Sequence, residues 1–219
     1  AWESLNYNPL PTWYDEAKIG IIIHWGIFNV PAFEASAWFW YQWAKWAKNK
    51  MENQTAFVKA TKFPCFNYSD YTHRFDVTLY QPDYWAQVFA KSGAQYVVLT
   101  SKHHEGFCMW DSRNISTTWN WNVMDIGPRR DLLGDLAQAI RQPDLVSPQT
   151  KKPLKFGTYH SLFEWFNPLF LQDQATKTDF KSQLFVDTKT MPELYHLVET
   201  YKPDIVWSDG GWMADSEYW

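Results

Sequence analysis

The 219-residue sequence has little of several features that define protein classes. Only two cysteines are present, Cys65 and Cys108, so a framework of several disulfides is excluded, and the spacing leaves open whether these two pair. No apolar run reaches membrane-spanning length, since Ile19 to Ile23 is far too short. The 20 basic and 24 acidic residues give a net charge of -4, which argues against nucleic acid as a partner.

Several catalytic motifs are also missing from the sequence. There is no Gly-x-Ser-x-Gly elbow, no P-loop and no dinucleotide-binding glycine pattern. Nucleophilic-serine, phosphoryl-transfer and hydride-transfer chemistry are therefore without support, and no cofactor is expected. No signal-type apolar segment follows Ala1, so we expect a processed or fragmentary chain.

Aromatic residues, by contrast, are abundant. Fifteen Trp, twelve Tyr and fifteen Phe make up 19% of the chain. Part of this content must form the core, because tryptophan is usually mostly buried. An excess of this size favours a protein with a surface on which ligands stack.

Short apolar or β-branched runs predict four strands, and stretches with helical periodicity separate them. The predicted strands are Ile19–His24, Tyr96–Thr100, Lys155–Tyr159 and Asp204–Trp207, and the predicted helices are Pro82–Lys91, Asp131–Arg141 and Met191–Tyr201. Strands that alternate with helices indicate parallel β/α units. An eight-stranded barrel needs about 250 residues. We therefore expect residues 1–219 to form the amino-terminal part of a (β/α)8-like, TIM-type barrel, with the rest in a companion polypeptide or missing.

Polar residues gather where the four predicted strands end. His24 closes the first strand, residues 102–105 follow the second, Tyr159 and His160 close the third, and Asp209 follows the fourth. In a β/α barrel these ends form the face that carries the active site. The pattern predicts that these side chains share one site.

The segment from Ile205 to Trp212 indicates the chemistry of that site. A short strand ends at the carboxylate of Asp209, Gly210 and Gly211 allow a sharp turn, and Trp207 and Trp212 flank the acid. Because a sugar ring packs its C–H face on an aromatic wall, a carboxylate in this setting suggests glycoside chemistry. The alternative is a helix N-cap aspartate after a strand.

The histidines allow two interpretations. Together with Glu105, the histidines at the strand ends could bind a metal, but no His-x-His or His-x-x-x-His spacing supports chelation. Hydrogen bonding to a polyhydroxylated ligand explains them better, because imidazole both donates and accepts. These strand-end histidines are His24, His103, His104 and His160. His73 and His196 lie off the strand ends and are interpreted as core histidines.

A tryptophan-rich segment, residues 38–48, is predicted to continue into a helix. Trp40, Trp43 and Trp46 are interpreted as packing residues, and Trp38, nearest the strand-end loop, as a ligand contact. Three Asn-x-Ser/Thr sequons occur, at Asn53, Asn67 and Asn114. They favour N-glycosylation and a lysosomal or secreted location.

The motifs of the whole chain resemble animal or lysosomal-type α-L-fucosidases of glycoside hydrolase family 29. They are His24-Trp25-Gly26, Thr100-Ser-Lys-His-His-Glu-Gly-Phe107, Trp119-Asn-Trp-Asn122, Gly127-Pro-Arg-Arg-Asp131, Tyr159-His-Ser-Leu-Phe-Glu-Trp165 and Trp207-Ser-Asp-Gly210. The resemblance implies a barrel followed by a β-sandwich domain, and a retaining enzyme that releases terminal fucose from glycoproteins and glycolipids. We also expect a homo-oligomer.

The resemblance further implies the roles of single residues. Asp209 is expected to be the nucleophile, and the fucose-binding residues are expected to be His24, His103, His104, Trp38 and Trp207. His160 stands where the family usually has His or Tyr in the pocket. The acid/base residue is expected beyond Trp219.

One position departs from the family pattern. Family members commonly have Ser-Glu-Trp where this chain has Ser36-Ala37-Trp38, and that glutamate contacts the sugar. Glu34, beside an inserted residue, is a candidate substitute. The departure leaves open a fucose-binding glycoprotein with impaired catalysis as the alternative to an active enzyme.

Overall fold

The computed structural model describes residue 7 and residues 9–34, 36–46, 52–115, 120–175 and 180–219. These residues form a four-stranded parallel sheet in the order β1-β2-β3-β4. The strands are β1 Gly20–Ile23, β2 Tyr96–Lys102, β3 Lys155–Ser161 and β4 Ile205–Asp209. Their spatial order follows the chain without the reversal of a doubly wound sheet, which is the topology of consecutive barrel units. The predicted α/β class and all four strands are confirmed.

Helices occupy the connections between the strands. They are α1 Thr12–Ala17, α2 Phe39–Trp46, α3 Glu52–Thr61, α4 Pro82–Ser92, α5 Leu132–Ile140, α6 Pro168–Ala175 and α7 Met191–Tyr201. Short 3-10 turns cover Ile27–Asn29, Ser36–Trp38, Tyr68–Arg74 and Gly211–Met213, and a π-helical turn, Val186–Thr190, leads into α7. The three predicted helices are confirmed within one residue at each end. The tryptophan-rich segment is predicted to be helical up to residue 48. Residues 47 and 48 lie outside the described ranges.

Local sequence explains where the connecting helices begin and end. Helix α4 has Pro82 in its first turn and ends at Gly93, which has a φ of 90°. Proline suits the first turn because it lacks an N–H, and glycine adopts positive φ without steric cost. Asp131 caps α5 by accepting a 2.9 Å hydrogen bond from the Gly134 N–H.

The sheet is most deeply buried at its centre. Val97, Val98 and Leu99 of β2 are fully buried, as is the apolar face of α5 around Leu136. At the edge, β4 stays open, with Val206 and Trp207 40% and 42% exposed. A parallel strand is usually covered on both faces, so β4 retains a surface that other structure can cover.

Three strands run further than the apolar pattern predicts. Strand β2 continues to Lys102, β3 continues to Ser161, and β4 includes Asp209 as its last residue. The register of β2 against β3 shifts between Thr100 and Lys102. Backbone pairing continues past the apolar residues because the polar side chains at these ends find buried partners, which a hydrophobic pattern does not reveal.

Candidate active site

Strand register decides which side chains face the site. Tyr159 pairs with Trp207 and Ser161 pairs with Asp209. Side chains on neighbouring parallel strands at paired positions point to the same face, and successive residues alternate between faces. Tyr159, Ser161, Trp207 and Asp209 therefore share one face of the sheet at its carboxyl end.

Asp209 is the centre of this face. Its Oδ2 accepts a 2.5 Å hydrogen bond from the Tyr159 hydroxyl, and its Oδ1 accepts a 2.7 Å bond from the Gly210 N–H. The side chain is 35% exposed, so it remains open to a ligand. Gly210 has a φ of 95°, and a Cβ there would lie 2.4 Å from the Phe163 ring. Only glycine fits this turn, which fixes the carboxylate at the strand end.

The surroundings hold Asp209 in its ionised form. Partial burial on its own raises the pKa of the carboxyl, but the hydrogen bonds from the Tyr159 hydroxyl and the Gly210 N–H lower the pKa below its ordinary value. Tyr159 shows the reverse effect, since burial and its bond to Asp209 raise the pKa of the phenol. At neutral pH the pair is a carboxylate and a neutral phenol.

His24 and His103 pack beside this pair. The His24 ring centre lies 4.5 Å from that of Tyr159 and 5.4 Å from that of His103. His103 lies 5.8 Å from Tyr159 with nearly parallel rings. Two of the expected ligand histidines thus face the phenol that contacts Asp209.

His104 is held in one tautomer. The Ser161 hydroxyl donates to the Phe163 carbonyl at 2.6 Å, and His104 Nδ1 lies 2.6 Å from the same hydroxyl. Because a hydroxyl has one hydrogen, His104 Nδ1 must donate to it. The unprotonated Nε2 then faces Asp209 Oδ2 at 3.6 Å. A ligand hydroxyl that enters this space meets two acceptors.

The three histidines are neutral at neutral pH. Burial lowers the pKa of His103 to about 4, and burial together with the neighbouring His103 lowers the pKa of His104 to about 3. Partial burial and then the neighbouring His103 also lower the pKa of His24. Neutral imidazoles both donate and accept, which suits recognition of hydroxyl groups.

Aromatic rings wall the site on the side of His104. The Phe163 ring stacks on His104 at 4.4 Å, and the Trp165 ring lies 5.3 Å from it. Trp38 lies 5.6 Å from His104 and stacks on Trp212 at 6.3 Å. Trp38 thus lies beside the histidines, as its place near the strand-end loop predicts. Trp207 lies on the site face of β4, two residues before Asp209.

His160 lies on the other face of the sheet and does not join this cluster. It is fully buried and pairs with Ser208, while its Nδ1 lies 3.1 Å from Ser101 Oγ and its Nε2 lies 3.6 Å from Glu193 Oε2. A ligand at Asp209 cannot reach it, so the prediction that His160 lines the pocket is not supported. The residue at that place is Tyr159. The strand period of two shows that only one of these adjacent residues faces the site, and the register with β4 shows that it is Tyr159.

A buried ionic cluster lies behind the histidine pair. Lys102 Nζ lies 2.9 Å from Glu164 Oε1 and 2.7 Å from Glu193 Oε2. Lys189 Nζ lies 3.1 Å from Glu164 Oε1 and also pairs with Glu193. All four side chains are at most 6% exposed. Because Lys102 directly precedes His103, the cluster fixes the end of β2 against β3 and α7.

Glu105, which the sequence analysis considered only as a possible metal ligand, is a buried carboxyl. Its Oε2 lies 3.3 Å from His103 Nδ1. Burial raises the pKa of Glu105 to about 8, and the charge of Glu164 adds to this effect. Glu105 is therefore mostly protonated at neutral pH, and it lies directly beside His103.

The loop after β1 places Glu34 toward α3. Glu34 is exposed and has a φ of 47°. Its two carboxylate oxygens accept 2.8 Å hydrogen bonds from Asn53 Nδ2 and Gln54 Nε2. Ala37 is half-buried next to Trp38 in the 3-10 turn Ser36–Trp38. Glu34 is thus engaged with α3 and does not replace the missing carboxylate in this conformation.

The remaining predicted residues fall as follows. His73 is exposed on a 3-10 turn, so its interpretation as a core histidine is wrong, and His196 is only half-buried. Asn53, Asn67 and Asn114 are all exposed, but Asn53 lies in helix α3 and not in a loop. Glycosylation at these positions stays a prediction.

The two cysteines do not pair. Cys65 is exposed and Cys108 is buried, and both are free thiols.

Within the described residues, no group of three or more His, Cys, Asp or Glu side chains is arranged to hold a metal ion. In the same part of the chain, no helix is long and apolar enough to cross a membrane. A cavity of about 380 Å³ near Trp13 and Lys155 lies at the opposite, amino-terminal end of the strands.

Comparison with known proteins identifies relatives along the whole chain. The family model described as Alpha-L-fucosidase matches residues 1–219. The chain is 49% identical to bovine tissue alpha-L-fucosidase and 46% identical to human plasma alpha-L-fucosidase, over 100% of its own length and 43% of each relative. The structure of Thermotoga maritima alpha-fucosidase in complex with fucose superposes with a TM-score of 0.76 at 32% identity, covering 97% of this chain and 49% of that one. Structural neighbours of this kind have a (β/α)8 barrel, so the predicted fold class is confirmed.

Proposed function

The chain belongs to the alpha-L-fucosidase family, and from this premise we propose that it carries the nucleophile and the fucose pocket of a retaining exo-α-L-fucosidase. The proposed reaction hydrolyses terminal α-L-fucose from glycoproteins and glycolipids. The observation that carries the proposal is the Asp209 carboxylate, bonded to Tyr159 at 2.5 Å and facing His104 Nε2 at 3.6 Å.

In the first proposed step, a carboxylate oxygen of Asp209 attacks the anomeric carbon of fucose. A fucosyl ester forms on Asp209, the bond from the anomeric carbon to the leaving oxygen breaks, and an acid protonates that oxygen. In the second step the same acid, now a base, takes a proton from water, and the water oxygen displaces Asp209. Two displacements at one carbon return the original anomeric configuration.

The neutral histidines supply sugar recognition in this proposal. His104 Nε2 accepts from a fucose hydroxyl, because its Nδ1 proton is committed to Ser161. His24 and His103, which flank Tyr159, bind further hydroxyls. Trp38 and Trp207 form the walls against which the C–H face of the sugar packs. Electrostatic support for the nucleophile comes from Tyr159.

We expect the acid/base residue to come from polypeptide beyond Trp219, as the family resemblance implies. A retaining glycosidase needs a second carboxyl about 5 Å from the nucleophile. Glu164 is committed to two buried lysines, and Glu105 is buried against His103. Neither carboxyl is suited to this role.

We propose that a companion polypeptide completes the barrel and adds a β-sandwich domain, so that residues 1–219 are the amino-terminal part of the catalytic domain. The exposure of Val206 and Trp207 on β4 supports a further strand at this edge. We also propose that the complete protein is a homo-oligomer. Its proposed location is lysosomal or secreted. The exposed asparagines of the three sequons support this location, and the relatives include enzymes named for tissue and for plasma.

A second candidate is a fucose-binding glycoprotein with impaired catalysis. The observation that favours it is Ala37, since Glu34 is bonded to Asn53 and Gln54 and leaves that part of the pocket without a carboxylate. Both candidates retain sugar binding. They differ in turnover.

Proton NMR of the full-length protein with an aryl α-L-fucoside tests the proposal. An active retaining enzyme releases α-L-fucose first, and the β anomer follows only by mutarotation. Release of β-L-fucose first would contradict retention. Saturable binding of fucose without release would support the second candidate.

A further inference from the structure

A cavity of about 430 Å³ lies next to the candidate site, between the loops that follow β1, β2 and β3, and it shares Glu105 and Glu164 with that site. Its volume falls within the range of about 300–1,000 Å³ that is usual for small-molecule sites. The walls combine aromatic rings with amide, hydroxyl and carboxyl side chains. They include Trp40, Trp121, Phe166, Asn120, Asn167 and Ser69.

One of the three sequons forms the rim of this cavity. Asn67, Tyr68 and Ser69, which are the whole Asn-x-Ser sequon, all line it. We propose that Asn67 carries an N-linked glycan whose first N-acetylglucosamine residue is seated in this cavity. The ligand of the cavity is then a sugar attached to the chain itself.

The position of Asn67 allows this attachment. Its side chain is exposed, and Nδ2 donates one hydrogen bond of 3.2 Å to the Cys65 carbonyl. Because an amide nitrogen has two hydrogens, the second is available for replacement by a sugar. The Asn67 backbone N–H donates to Asp70 Oδ2 at 2.7 Å, which fixes the residue at the start of the 3-10 turn Tyr68–Arg74. An ordered attachment point favours an ordered first sugar.

The aromatic wall suits the C–H face of a pyranose. The Trp40 ring stacks on Tyr68 at 4.5 Å, and it lies at tilted angles 4.5 Å from Phe166 and 6.0 Å from Trp121. These four rings, all of which line the cavity, form one aromatic cluster. The indole N–H of Trp121 donates to the Glu105 carbonyl at 2.9 Å, which fixes the orientation of that ring. The exposed Asn120 amide supplies a donor and an acceptor for sugar hydroxyl and acetamido groups.

The other two sequon asparagines lie elsewhere on the described surface. Asn53 Nδ2 donates to Glu34 Oε1 at 2.8 Å in helix α3, and Asn114 lies exposed in a turn. Neither residue lines this cavity. Asn114 therefore provides an internal reference for a glycan that extends into solvent.

The test uses the full-length protein secreted from a eukaryotic host that makes high-mannose glycans. Peptide mass spectrometry should find Asn67 occupied. Peptide N-glycosidase F must reach the first sugar to cleave a glycan. It should therefore release the Asn67 glycan from the native protein at least about ten times more slowly than it releases the Asn114 glycan. The same difference is expected between the native and the denatured protein for the Asn67 glycan. Endoglycosidase H, which leaves that first sugar in place, should not change the melting temperature.

Ser69→Ala removes the sequon and keeps Asn67, and it should lower the melting temperature by about 2 °C or more. The control Asn114→Gln should leave it unchanged. An unoccupied Asn67 beside an occupied Asn114 would overturn the proposal. The proposal would also be overturned if the Asn67 glycan were released from the native protein as fast as from the denatured protein. The cavity would then hold another ligand or solvent. Fucoside hydrolysis is not a readout here, so this test stands apart from the proposed function.

Discussion

The Tyr159 hydroxyl donates a 2.5 Å hydrogen bond to Oδ2 of Asp209. The two residues belong to neighbouring strands, and their contact joins the ends of β3 and β4 at the site. The bond favours the ionised carboxylate and so lowers its pKa. In the proposed enzyme this keeps the nucleophile charged in mildly acidic conditions.

Replacing Tyr159 with Phe should move the acidic limb of the pH–activity profile to higher pH. Loss of the donor raises the pKa of Asp209, and a carboxylate nucleophile is lost as pH falls through that pKa. We also expect kcat/KM to fall by about tenfold at neutral pH, since a hydrogen bond to a charged group is lost. Steady-state kinetics with an aryl fucoside over roughly pH 3–8 measures both effects. Tyr84→Phe, on an exposed face of α4, is the control, and an unmoved limb would refute the role of Tyr159.

Replacing Ser161 with Ala should release His104 from its single tautomer. The Nδ1 proton loses its acceptor, so Nε2 is no longer always the acceptor that faces Asp209. We expect kcat/KM to fall by about tenfold, the value of one hydrogen bond, with the fold intact. Kinetics and circular dichroism measure the two quantities. The exposed Ser92→Ala is the control. Equal kcat/KM in the wild type and Ser161→Ala would show that the tautomer is not important.

Replacing Glu193 with Gln should destabilise the protein by about 3–5 kcal/mol, because it leaves buried lysine charge uncompensated. Burial alone raises the pKa of Glu193, but Lys102 and Lys189 outweigh it and keep the carboxyl ionised. Urea unfolding measures the change. Glu16→Gln, which removes an exposed partner of Lys152, is the control and should have no measurable effect. Unchanged stability in Glu193→Gln would mean that the cluster does not hold the end of β2.

Replacing Ala37 with Glu should raise kcat/KM for an aryl fucoside by about tenfold or more, because a charge-assisted hydrogen bond to the sugar is worth about 1.5–3 kcal/mol. Glu34→Ala should leave kcat/KM unchanged, since Glu34 bonds to Asn53 and Gln54. Measuring both variants separates the two glutamate positions. If Ala37→Glu had no effect and Glu34→Ala abolished binding, Glu34 would be the sugar ligand after a shift of this loop.

The sequence predicted the strands and most of the site because both depend on local patterns. Apolar runs located β1 to β4, and the residues after them located His24, His103, His104 and Asp209. The face that each strand presents depends on register, which pairs Tyr159 with Trp207 and places His160 on the opposite face, paired with Ser208. Register is a tertiary property, so the sequence alone did not separate Tyr159 from His160.

The buried ionic cluster shows a second limit of sequence reasoning. Lys102, Glu164, Lys189 and Glu193 are separated by up to 91 residues along the chain, yet their charged groups meet in the interior. A charged residue in a sequence usually indicates a solvated surface. Nothing local distinguishes these four from exposed lysines and glutamates. The orientation of Glu34 toward α3 has the same origin, since its partners follow it by about twenty residues.

The proposal that Asp209 is the nucleophile is tested most directly with Asp209→Gly in the full-length protein. We expect kcat to fall by about three orders of magnitude or more, since the covalent step is lost. Added azide should restore part of the activity and yield β-L-fucosyl azide, because it attacks from the side that Asp209 leaves vacant. The exposed Asp144→Gly is the control and should behave as the wild type. Near-normal turnover in Asp209→Gly, or a loss that azide does not restore, would contradict this role.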